Sequence, residues 1–261
     1  MDSNFFISKL FKRKMLRKVP EITVYFWIVK LLTTAMGEAV SDYLTHQFNP
    51  IFAVAFGGIL LLLAFILQFS VHKYIPYVYW VTVTMVAIFG TMAADVLHAV
   101  TGIPYIFTTI FFLIALLSIF RFWYMREKNL SIHSIYTHQR EIFYWLTVIA
   151  TFALGTAAGD MTATTFGLGY FASAILFGML IGLVALAYFI HGLGEILAFW
   201  LVYILTRPLG ASLADWLGKP QTTGGVGIGA GEVSIILLLC IIIAVTYLTV
   251  QKKKLKGDDI G

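Results

Sequence analysis

Four aspartates occupy one position of a recurring frame, Trp, nine residues, Gly, four residues, Asp. The copies run Trp27, Gly37, Asp42; Trp80, Gly90, Asp95; Trp145, Gly155, Asp160; and Trp200, Gly210, Asp215. Each lies in an apolar run long enough to cross a bilayer, where a carboxylate is expensive and needs a partner or a task. Carboxylates gathered at such a depth can bind a cation or exchange protons. The residue one helical turn before each Asp differs: Glu38, Thr91, Thr156 and Ala211. Positions i and i+4 share a helix face, so Glu38 stands over Asp42, and the two threonines stand over Asp95 and Asp160. His46 continues the first face, and His98 lies a turn beyond Asp95. Carboxylate, hydroxyl and imidazole together suit a hard-to-borderline divalent cation. The competing reading for the two histidines is that they are simply solvated at an interface.

Two bases stand among these acids. Arg207 lies two turns before Asp215, and Lys30 two turns before Glu38. Both are candidate counterions for emptied carboxylates, and Lys30 is also placed to snorkel to the nearer interface. Glu38 and the four aspartates against Lys30 and Arg207 make five acids to two bases, a negative surplus that a bound cation or protons would balance. Gly37, Gly90, Gly155 and Gly210 are each followed, four residues on, by Ser41, Ala94, Gly159 or Ala214. That small-xxx-small surface lets helices approach closely, within one chain or between the protomers of a homo-oligomer. The four repeat tryptophans fit an aromatic belt and need no chemistry.

The elements that must position these groups are membrane helices. The chain is 60% hydrophobic and 12% charged, about half the charge of a soluble domain. Continuous apolar runs near 22–45, 51–70, 77–100, 103–123, 142–165, 170–190, 196–217 and 233–250 predict eight transmembrane helices, whereas a membrane β-barrel would alternate apolar and polar residues. The expected architecture is all-α: a basic arm at 1–20, one membrane domain over 21–250 with repeats near 21–70, 77–123, 141–190 and 194–250, and a tail at 251–261. Each repeat pairs a motif helix with a plain one, so the motif helices run parallel and the pseudosymmetry axis follows the membrane normal. The basic residues before the first run, after the second, between the fourth and fifth and after the eighth place both termini in the cytoplasm. The net charge of +5 is therefore a topology signal and not a nucleic-acid footprint. No short apolar core with a small-residue cleavage site precedes Glu21, which argues against a secretory signal. The lone Cys240 excludes an intrachain disulfide and a cysteine metal cluster. The Gly-rich segment 218–232 lacks the Gly-Lys-Ser/Thr ending of a phosphate loop, so the expected driving force is an ion gradient and not a nucleotide. Segment 121–141, the only sizeable inner loop, has room for a short interfacial helix.

The segments KVPEITVYFWIVKLLTTAMGEAVSDYL, YWVTVTMVAIFGTMAADVL, FYWLTVIATFALGTAAGDMTA with FGLGY, and FWLVYILTRPLGASLADWLGKP resemble a family of bacterial integral membrane proteins built from four copies of a repeat of unknown function. The resemblance covers nearly all of Lys18 to Val250 and implies a multi-pass protein of the bacterial cytoplasmic membrane. It carries over no catalytic or ligand roles. The residues themselves point to a secondary transporter or exporter of a small cation, with manganese as the first divalent to consider and protons as the coupling ion. The alternatives are an intramembrane aspartyl-type enzyme, for which no Gly-x-Gly-Asp segment is present, and a non-catalytic scaffold or sensor using segment 121–141.

Overall fold

The computed structural model describes residues 17–258, with side chains as far as residue 251; the basic arm over 1–16 and the last three residues of the tail lie outside the described residues. Among the described residues the regular structure is entirely helical: α1 Val24–Gln47, α2 Pro50–Ser70, α3 Pro76–Thr101, α4 Tyr105–Glu127, α5 His138–Asp160, α6 Gly169–His191, α7 Glu195–Gly218 and α8 Ala230–Asp258. Local chemistry sets the ends. The Thr23 and Thr137 hydroxyls accept from the backbone N–H of Phe26 and Arg140, each at 3.3 Å, and Pro50 and Pro76 occupy first turns where no N–H is needed. Gly102 and Gly192 close α3 and α6 at φ of 65° and 67°, a conformation that costs other residues energy.

Seven of these helices are long and apolar enough to cross a membrane, which makes this a multi-pass membrane protein. The exception is α1, which carries Lys30, Glu38 and Asp42 and buries the first two. It spends hydropathy on polar groups that face the centre of the bundle.

The motif helices α1, α3, α5 and α7 form a closed inner ring, and the glycines make its seams. A Cβ on Gly37 would strike Ala87 of α3, one on Gly90 would stand 3.2 Å from Phe152 of α5, one on Gly155 would run into Arg207 of α7, and one on Gly210 would lie 2.7 Å from Thr34 of α1. In every case the Gly, ten residues after its Trp, meets the residue seven after the next Trp. The contact repeats around the ring and returns to α1, so the repeats are related by a pseudo-fourfold rotation.

The plain helices wrap this ring. Their apolar windows are only 17% to 22% buried, against 44% to 67% for α3, α5 and α7. Each packs chiefly on the motif helix of the following repeat and not on its own: α2 on α3, α4 on α5, α6 on α7, and α8 back on α1. At their far ends they reach one motif helix further, with Phe65 of α2 5.5 Å from Trp145 and Phe120 of α4 5.1 Å from Trp200. The repeat in sequence is thus split between neighbours in space, which locks the ring.

One loop expectation is corrected. Segment 121–141 holds no interfacial helix: α4 continues to Glu127, and a single 3-10 turn at Ile132–Ser134 drives Ile132 and Ile135 into the core. The Gly-rich segment folds back onto the end of α7 through Val226 N–H to Trp216 O at 2.6 Å and Ile228 N–H to Leu217 O at 3.0 Å.

Candidate functional site

Steps of four residues along each motif helix deliver one side chain per repeat to the central axis. One residue before the Trp, the layer is Phe26, Tyr79, Tyr144 and Phe199, all buried, with the two tyrosine hydroxyls hydrogen-bonded to each other. Above it come Lys30, Val83, Val148 and Tyr203, then Thr34, Ala87, Phe152 and Arg207, and every one of these eight is 0% exposed. The next layer is Glu38, Thr91, Thr156 and Ala211; the last is the four aspartates, of which Asp42, Asp95 and Asp160 are partly exposed. The axis is therefore packed shut towards the Trp end, and its acidic layer reaches partial exposure at the Asp end.

Arg207 forms the floor beneath that acidic layer. Its Nη2 donates to Glu38 Oε2 at 2.9 Å, to Thr156 Oγ1 at 2.8 Å and to Thr91 Oγ1, drawing three repeats onto one nitrogen. Among the described residues its Nε and Nη1 are buried without a hydrogen-bond partner. The guanidinium carbon lies 5.2 Å from the centroid of the Phe152 ring, and the Lys30 ammonium lies 4.4 Å from the same ring. Above the floor, ligand atoms of Glu38, Asp42 and Asp95 all fall within 4.8 Å of one another. An ion seated among them would meet carboxylate oxygens, with threonine hydroxyls close by.

Lys219, the residue that closes α7, enters from the rim. Its Nζ lies 2.5 Å from Asp42 Oδ2 and 3.7 Å from Asp215 Oδ1. Burial alone would pull this ammonium down, but the carboxylates of Asp215 and Asp42 outweigh it and hold the group above the ordinary lysine value.

The sequence-derived residues thus divide. Glu38, Asp42 and Asp95 come together, Thr91 and Thr156 meet Arg207, and Asp215 joins Asp42 through Lys219. Asp160 closes the layer at the start of a π-helical turn, Met161–Thr165, with Thr164 Oγ1 donating to its carbonyl at 2.6 Å. The histidines lie outside the carboxylate group: His46 Nδ1 sits 2.7 Å from the carbonyl of Asp42, and His98 Nδ1 is 2.7 Å from that of Ile103 while its ring stacks on Tyr105. Their removal makes the grouping all-oxygen.

Lys30 neither snorkels nor pairs. Among the described residues its Nζ makes no ion pair; it donates to Thr34 Oγ1 at 3.3 Å and lies 4.4 Å from the centroids of the Phe152 and Tyr203 rings. Other participants are visible only in three dimensions. Lys219 raises the bases near the acids from two to three, and its only sequence signal is its place four residues after Asp215. At the Trp end, fully buried Glu141 accepts from Lys18 Nζ at 2.5 Å and Gln68 Nε2 at 2.9 Å. Nothing in the repeat pattern marks that latch.

These features define a class: a polytopic helical membrane protein with a layer of acids around a pseudo-fourfold axis. The Repeat of Unknown Function (DUF347) matches the chain four times, at residues 25–74, 78–129, 143–192 and 198–254, and the chain belongs to that family. Neither a curated protein nor a solved structure matches it.

Proposed function

We propose that this protein is a secondary transporter of a small divalent cation, with manganese the first candidate, and that its acidic layer forms an axial chamber, the binding site. On this reading all eight helices span the bilayer, the pseudo-fourfold axis lies along the membrane normal, and the base-rich Trp end faces the cytoplasm. The site then opens away from the cytoplasm. The observation that carries the reading is the convergence of three carboxylates, Glu38, Asp42 and Asp95, the first of them paired with the fully buried Arg207. Fixing acids at that depth requires positive charge, and Arg207, Lys30 and Lys219 against Glu38 and the four aspartates still leave a negative surplus. Oxygen donors without imidazole or thiolate favour Mn²⁺, Mg²⁺ or Ca²⁺ over softer metals.

The residues divide the work. Glu38, Asp42 and Asp95 would hold the ion, with Asp160 and Asp215 completing the acidic ring. Arg207 orients Glu38 and offers its charge to that carboxylate whenever the ion departs. The buried aromatic layer and the Lys18–Glu141–Gln68 latch would keep the cytoplasmic end closed in this state. Proton coupling fits a site whose ligands are exchangeable acids, and the π-helical turn after Asp160 supplies a local irregularity of the kind found at functional sites.

The test is Mn²⁺ uptake into proteoliposomes containing the purified protein. Glu38→Gln and Asp95→Asn should each reduce uptake by roughly tenfold or more, the worth of one charged ligand. Undiminished uptake in both variants would refute the assignment.

A further inference from the structure

Lys219 shares one carboxylate, Asp42, with the group assigned to the cation. Its ammonium bridges Asp42 of the first repeat and Asp215 of the fourth, residues that only closure of the ring makes neighbours. Among the described residues, Asp215 Oδ1 is buried without a hydrogen-bond partner, and its nearest positive charge is this ammonium at 3.7 Å. A buried carboxylate oxygen left in that condition is an unfilled ligand position.

The two cations of the chamber differ in freedom. Arg207 is completely enclosed and held by three hydrogen bonds through one nitrogen, so it cannot leave. Lys219 has a fixed backbone, its N–H bonded to Asp215 O at 2.8 Å and its carbonyl packed against Gly225, but its side chain is 26% exposed at the rim. The ammonium can swing out on its own flexible stem with no movement of the helix.

Resting on the reading of the chamber as a cation site, we propose that Lys219 is a tethered substitute for the transported ion, occupying the empty carrier and yielding to the incoming divalent cation. An emptied chamber leaves carboxylates facing one another, and their repulsion opposes any conformation that buries them further. An ammonium folded onto Asp42 and Asp215 relieves that repulsion, so the unloaded carrier can reset. Lys219 therefore weakens equilibrium binding by competition and makes net transport feasible. Without it, the carrier can cross only when loaded and is confined to exchange.

The experiment uses Mn²⁺ and the purified full chain. Lys219→Gln should bind Mn²⁺ about tenfold more tightly than the parent, as expected when a competitor worth one charged contact is removed. In proteoliposomes it should retain Mn²⁺/Mn²⁺ exchange while losing net uptake, and Lys219→Arg should keep both. A second variant guards against misfolding: Lys219→Cys on a Cys240→Ser background, modified after purification with an aminoethyl or a methyl thiosulfonate. Net uptake should return with the aminoethyl group and not with the methyl group. Equal or weaker Mn²⁺ binding by Lys219→Gln together with intact net uptake overturns the proposal. If the parent protein neither binds nor exchanges Mn²⁺, the chamber is not a divalent-cation site and the underlying reading falls instead.

Discussion

The two halves of the pseudo-fourfold axis are built on one backbone scheme and do opposite things. Near the tryptophans the axis is filled by Phe26, Tyr79, Tyr144, Phe199, Val83, Val148 and Tyr203, which exclude solvent by apolar packing and leave Lys30 with two ring faces and a threonine. Near the aspartates the same four helices present acids that only charge can hold together. Both halves share the glycine seams, so the difference lies in the side chains spaced four residues apart and not in the fold. A ring of similar helices becomes polar along its axis when the acids of its inner face gather at one end.

The largest expected effect separates the halves at their boundary. Arg207→Met leaves Glu38 buried without its partner and should destabilise the protein by about 3–5 kcal/mol, while the double variant Arg207→Met with Glu38→Gln should recover much of that loss. Thermal unfolding of the purified proteins in detergent checks it. Equal losses in both would mean that the pair is not what holds the floor together.

The seams come next and should not be equivalent. Gly37→Ala would push a methyl group into the Ala87 side chain and to 2.8 Å from its backbone carbonyl carbon, neither of which can yield, and overpacking of this kind costs about 1–3 kcal/mol. Gly90→Ala meets only the Phe152 Cβ at 3.2 Å and should cost much less. Similar melting shifts for both would contradict the ring geometry. In the sealed half, Tyr79→Phe removes one hydroxyl of a buried pair, a loss of about 1 kcal/mol that should leave Mn²⁺ affinity untouched.

The smallest expected effect concerns pH. Lys219 has a raised folded-state value, so its stabilising contribution is complete below the ordinary lysine value of ~10.4 and is lost only as pH rises through the higher folded value. Between pH 6 and 9, roughly, Lys219 therefore stays charged, and the parent and Lys219→Gln should show parallel pH profiles of Mn²⁺ binding. Profiles that diverge in that window would show that Lys219 titrates there.

Much of this arrangement was legible in the chain because strict spacing survives folding. The Trp, Gly and Asp frame placed four acids in one layer, and the offset of four put Glu38, Thr91 and Thr156 beneath them. It also gave the motif helices a common direction. The family resemblance drawn from the repeats agrees with the fourfold match over residues 25–254. Long-range pairings were not legible, because periodicity reports which face a residue occupies and not which neighbour faces it. That is why Arg207 stood without a named carboxylate, Lys30 was expected near one, and Glu141 drew no attention. The histidines misled for a related reason: His46 shares the face of Asp42, yet its ring turns back to the Asp42 carbonyl at 2.7 Å. Segment 121–141 looked polar enough to lie at an interface, but its two isoleucines, Ile132 and Ile135, are drawn into the core between the helices.

Calorimetric titration of the purified protein with Mn²⁺ addresses the chamber most directly. The account predicts binding that is severely weakened by Asp95→Asn and unchanged by the double variant His46→Ala with His98→Ala. Binding that survives loss of Asp95 but disappears with the histidines would contradict it.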